Sequence, residues 1–136
     1  MIYSVGNAIR KKLSEDVNIT AITATRLYPK VLPQPAVLPA IIYNVISDVP
    51  SDDISGNAGL YRAIVQIDSY AKNAIDAIRL DDFVRLSLQG YRGMNLSVNI
   101  RGIHHLQSMD DFEAEVSDYK QISRFGVWYK RENPDN

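Results

Sequence analysis

The sequence predicts an α+β domain: a mostly antiparallel sheet of four to five strands with two main helices packed on one face. Three observations lead there. The stretch Leu60–Leu88 passes from a two-residue apolar period to a three- and four-residue one. A second amphipathic helix stands at the N-terminus, and two long alternating stretches follow the central helix. The resulting order is helix, short helix, three strands, helix, two strands, which is that of an α+β domain.

At the start, Ile2, Val5, Ile9 and Leu13 form one apolar stripe, and Arg10, Lys11 and Lys12 sit near the helix C-terminus, where cations favour the macrodipole. Those three cations read as a solvated face. Asp16 is placed to cap a shorter helix carrying Val17, Ile19 and Ile22. Arg26-Leu27-Tyr28 is a short extended piece halted by Pro29, after which four prolines fall within the eleven residues from Pro29 to Pro39. Such a segment is a stiff surface connector between strands. Ala40 to Ser47 is β-branched and apolar enough for a strand buried on much of both faces.

Asp48 to Gly59 is polar, holds proline and glycine, and is longer than a compact hairpin needs. Asp48, Asp52, Asp53 and Ile54 are read as a protruding arm that reaches a neighbouring subunit. In the strand that follows, Tyr61, Ala63, Val65 and Ile67 share one face; Arg62, Gln66 and Asp68 share the other, interrupted by Ile64 and Tyr70. Asn73 is a plausible N-cap for a helix whose stripe is Ala77, Leu80, Val84 and Leu88 beside Phe83, and Gly90 suits its C-terminal cap.

Strand alternation resumes at Leu96, Val98 and Ile100 and continues through Ile103 and Leu106 toward Ser108. His104 and His105 are the only histidines; as strand neighbours they point to opposite faces and cannot easily chelate one metal ion together. Met109 to Asp118 reads as a second acidic connector, with Asp110, Asp111, Glu113, Glu115 and Asp118 around Phe112 and Val116. Tyr119 to Lys130 is a long aromatic-rich strand, and residues 131–136 form a frayed tail. Tyrosine-rich strands at an open edge would invite pairing with another copy.

At 136 residues and 46% hydrophobic content the chain, residues 1–136, is expected to be one domain with a sizeable core. A net charge of -1 gives no global attraction to nucleic acid or anionic membrane. There is no cysteine, which excludes disulfides and thiolate metal sites. With no long apolar run, the expectation is a soluble protein outside the usual secretory route, with no membrane partner. Neither a phosphate-cradling glycine loop, a nucleophile elbow nor an HExxH helix occurs, so no catalytic residue, cofactor or metal is expected.

One resemblance spans nearly the whole chain. Arg26-Leu27-Tyr28, the proline run into Leu38-Pro39-Ala40-Ile41-Ile42-Tyr43, then Tyr61 to Asp68, the helix with Asp82-Phe83-Val84 and Leu88, and Phe125-Gly126-Val127-Trp128-Tyr129 follow in an order that resembles the small phage tail completion or tail terminator proteins. The resemblance implies a structural, non-enzymatic protein of a phage or prophage: a homo-hexameric ring that caps the tail tube and joins it to the head. It also implies a place at the tail–head junction of a virion assembled in the bacterial host cytoplasm. Its implied partners are copies of itself, the tail tube protein and a head–tail connector, with DNA passing through the lumen without base-specific binding. A monomer in solution is compatible with a ring that is stable only on its template. The competing readings are a head-closure connector, a metal-assisted hydrolase using Asp52, Asp53, His104 or His105, and a host interaction module.

Overall fold

The computed structural model describes residues 4–50, 59–113 and 118–131. The first helix, α1 (Val5–Ser14), begins where Ser4 and Asn7 satisfy each other: Asn7 N–H donates to Ser4 Oγ at 3.2 Å and Ser4 N–H to Asn7 Oδ1 at 3.0 Å. Val5, Ile9 and Leu13 are buried, as their spacing predicts; Ile2 lies outside the described residues. Asp16 caps α2 (Val17–Thr23), its carboxylate accepting from Asn18 N–H at 2.9 Å.

The chain then forms β1 (Leu27–Pro29), which pairs in parallel with β2 (Ala40–Pro50), Leu27 opposite Ile41. The proline-rich connector therefore joins two neighbouring strands that run the same way. Arg26 pins it, donating from Nε to the Pro39 carbonyl at 2.9 Å and from Nη2 to the Ile22 carbonyl at 3.2 Å. Next come β3 (Leu60–Ala71), α3 (Ala74–Leu88), β4 (Gly93–Asn95), β5 (Val98–Glu113) and β6 (Asp118–Arg131). Asn73 caps α3 by accepting from Asp76 N–H at 2.8 Å, and Gly90 follows its end at φ +78°, a left-handed conformation that costs glycine no Cβ clash.

The six strands lie in the order β1-β2-β3-β6-β5-β4, and every pairing except β1–β2 is antiparallel. This corrects the four to five strands expected from the sequence: β4 is too short to show a period. Its hairpin to β5 turns through Leu96 and Ser97 at φ 51° and 63°, so Leu96 is a turn residue rather than part of a strand.

One core lies between the sheet and the three helices, with Ile9, Ile19, Leu80, Ile67, Phe125 and Val127 fully buried. Helix α1 touches both β2 and β4, which stand four places apart. In a flat sheet those strands would be about 19 Å apart, wider than one helix of about 10 Å, so the sheet curls around the helix.

Three irregularities decide which side chains face that core. In β2 the pairing shifts between Val45 and Ser47, so Ile46 is an extra residue and Asp48 takes the position opposite Ala63 on the helix side. In β5 the shifts fall between Ile100 and Gly102 and between His105 and Gln107, making Arg101 and Leu106 the extra residues. The core-facing series along β5 therefore runs Val98, Ile100, Ile103, His105, Ser108, Asp110.

The expectation that tyrosine-rich strands lie at an open edge is corrected, since β3 and β6 are the two central strands. The edge strands β1 and β4 are three residues each. Beyond their reach, β2 and β5 each carry a bulge, which twists an edge away from easy pairing.

Candidate functional site

Where they are described, the two acidic stretches belong to strand arms of the sheet, β2–β3 and β5–β6. Strand β2 pairs with β3 out to Pro50 opposite Tyr61, and β5 pairs with β6 out to Glu113 opposite Asp118. Asp110, Asp111, Phe112 and Glu113 are thus strand residues, correcting the reading of Met109 to Asp118 as a connector; acids at adjacent positions, on both faces of the strand, hid the period. Asp52, Asp53, Ile54 and Glu115 lie outside the described residues. Asp48 is held: the Tyr129 hydroxyl donates toward both of its carboxylate oxygens, at 2.7 and 2.6 Å, and the Tyr129 ring stacks on Tyr61 at 5.5 Å.

A polar chain runs under α3 that the sequence did not disclose. Asp81, 2% exposed, accepts from the Ser123 hydroxyl at 2.6 Å; Ser123 Oγ is 2.8 Å from Ser108 Oγ, which is 2.8 Å from His105 Nε2. Each hydroxyl has one hydrogen. With Asp81 ionised, Ser123 must donate to it, Ser108 to Ser123, and His105 Nε2–H to Ser108. A serine nucleophile needs the opposite polarity, with imidazole accepting the hydroxyl proton. The chain therefore ties helix to sheet and does not activate Ser108. Burial pushes the Asp81 carboxyl above its ordinary value, while the Ser123 hydrogen bond and the nearby Arg85 charge pull it back. Arg85 also pairs with Asp82. Asp81 had one readable sign: it sits four residues after Ala77 and three before Val84, a charge on the apolar stripe.

The histidines diverge as expected. His105 packs against Phe125 on the core side, and His104 meets the Trp128 ring edge-on at 5.3 Å on the outer face. Among the described residues no three of His, Asp and Glu are grouped to hold a metal ion.

The outer face carries the chain's one tryptophan. Trp128 lies over the backbone of Gly126, where an added Cβ would come within 3.1 Å of Trp128 Cζ3, and the Arg62 guanidinium sits 5.4 Å from its ring centre. Leu60, Arg92, Arg101 and Lys130 complete a shallow groove of about 420 Å³ there. A second groove of about 420 Å³ opens between α3 and the β5–β6 arm, lined by Ala77, Ile78, Asp110, Asp111 and Lys120 among others. Basic and aromatic at one end, apolar and acidic at the other, these surfaces are suited to contact with other molecules.

The family model described as "Tail completion protein gp17" matches residues 7–130. No curated protein matches the chain. Among solved structures, the chain is similar to one described as "Virion of native gene transfer agent (GTA) particle", at TM-score 0.76 and 15% identity, over 93% of this chain and 95% of that one. At that identity the likeness is one of fold.

Proposed function

Since the chain belongs to the tail completion protein gp17 family, a family of structural virion components, we propose that it forms a ring, a hexamer, that caps the tail tube and joins it to the head. The observation that carries this reading is the family match across residues 7–130, which takes in α2, α3, all but the first two residues of α1 and nearly the whole sheet. The shared fold with a chain of a gene transfer agent virion supports a place in a particle.

The task is one of shape and does not call for bond chemistry. A terminator must stop tube subunits from adding and offer the head a new surface. The β2–β3 and β5–β6 arms, with Asp52, Asp53 and Ile54 on the first and Asp110, Asp111, Phe112, Glu113 and Glu115 on the second, reach the tube, the head–tail connector or the neighbouring copy. Asp48 serves at the root of the first arm, holding Tyr129. Six weak contacts on a six-fold tube act together, so a ring is stable there even where free subunits separate. DNA passes through the lumen without base-specific contact, and the net charge of -1 offers the duplex no strong overall attraction. Assembly belongs to the host cytoplasm and the finished site to the tail–head junction.

Electron microscopy of particles made without this protein tests the reading. Filled heads without tails, beside unjoined or overlong tails, are expected. Normal joined particles would overturn it, and finished tails of ordinary length beside leaking heads would place the protein on the head side of the joint.

A further inference from the structure

We propose that copies of this chain join head to tail, the groove between α3 and the β5–β6 arm of one copy receiving the Trp128 patch on the outer face of the next. The inference rests on the tail-completion reading only for the expectation that the contact closes into a ring.

The two surfaces are complementary. The patch groove is lined by Arg92, Arg101 and Lys130 around Leu60 and Trp128, with Arg62 on the indole face. No carboxylate lines it among the described residues, and none of the four cations takes part in an ion pair there. The other groove has an apolar floor of Ala77 and Ile78, the latter 46% exposed, beneath Asp110 and Asp111; Lys120 on its wall is paired with Asp111 at 3.5 Å. An aromatic anchor ringed by cations, facing an apolar floor edged by two carboxylates, one of them shared with Lys120, is the composition of an interface centre with a steering rim.

Geometry forbids the two from meeting within one molecule. Gln121 lines one groove and Lys130 the other, nine positions apart on the same strand, about 30 Å at the rise of an extended chain. The first groove also opens on the helix side, where Gln121 shares its face with Ser69, and only its rim of Asp111 and Lys120 reaches the outer face that carries Lys130 and Leu60. A two-fold contact would have to seat both patches in both grooves at once, which two surfaces about 30 Å apart on the ends of one strand do not favour. A head-to-tail contact joins unlike ends, and repetition of that operation gives a closed ring or a filament. Cations beside an aromatic also suit a phosphate backbone, but the same chain supplies the acidic counterpart, which favours a second copy.

The test uses full-length protein in sedimentation at 50 and 500 mM salt. The wild type is expected to associate with rising concentration, at least tenfold more weakly at the higher salt. The patch variant Arg101→Glu/Lys130→Glu and the groove variant Asp110→Lys/Asp111→Lys are each expected to lose association at least tenfold. An equal mixture of the two should regain it, because every contact again joins unlike charges. All four positions are exposed, and thermal unfolding of each variant checks that it folds. A wild type monomeric to about 1 mM, salt-insensitive association, or a mixture no better than its parts would overturn the proposal. So would a short DNA duplex that binds the wild type and is lost on Arg101→Glu with self-association unchanged, which would assign the patch to nucleic acid. Either failure leaves the tail-capping reading standing, because that is read from particles.

Discussion

The Ser123 hydroxyl donates to Asp81 Oδ1 at 2.6 Å, joining the middle of α3 to the centre of the sheet. Both residues are buried, so this hydrogen bond to a charged group is made where water cannot replace it.

Ser123→Ala removes the hydroxyl donor from the buried Asp81 carboxylate, leaving it Arg85 at 3.4 Å, and is expected to cost about 1–3 kcal/mol in denaturant unfolding. Asp81→Asn keeps the shape and removes the buried charge. The folded-state pKa of Asp81 lies above the ordinary 3.8, so between 3.8 and that higher value the native state holds a proton the unfolded chain has released. Its contribution to stability is thus full at pH below 3.8 and is lost as pH rises through the folded value. The asparagine variant should lack that decline, measured as unfolding midpoints at successive pH values; an unchanged slope would refute the assignment.

Tyr129→Phe removes the hydroxyl that binds Asp48 and leaves the ring on Tyr61. Asp48 is exposed enough to be rehydrated, so the expected loss is about 1–2 kcal/mol, with local rather than global loosening. Amide exchange should quicken at Asp48 and Val49 and at their partners in β3, and stay unchanged in α1. Uniform quickening would argue against a local brace.

Ser97→Gly is expected to stabilise. Leu96 and Ser97 occupy the β4–β5 turn with positive φ at both central positions, the geometry that favours asparagine followed by glycine. Relief of the Ser97 strain should raise stability by about 0.5–1 kcal/mol, read from thermal unfolding, and Leu96→Asn/Ser97→Gly by more.

Much of the body was legible because it is periodic. The core face of β3 and the stripe of α3 emerged at the right residues, as did the Asp16 and Asn73 caps and the opposed histidines, since each follows from a spacing within one segment. Bulges are different in kind. Whether Ile46, Arg101 and Leu106 are extra depends on a partner strand far along the chain, and one such residue reverses the parity that sequence reading carries forward. The same limit hid the candidate site. Asp81, Ser123, Ser108 and His105 come from three elements, and the Trp128 patch gathers Arg92 and Arg101 across a hairpin. Charge also masked structure: in the arm from Met109 to Glu113, acids at the adjacent positions 110 and 111 broke the apolar alternation and hid the strand.

Leu106 has a further consequence. The residues before and after it alternate as if it were not there: His105 faces the core, Gln107 faces outward and Ser108 faces the core again. Excising that single leucine would leave the inward and outward parity of β5 unchanged, so its effect is expected on the local coil of β5 against β6 and not on which side chains reach the core.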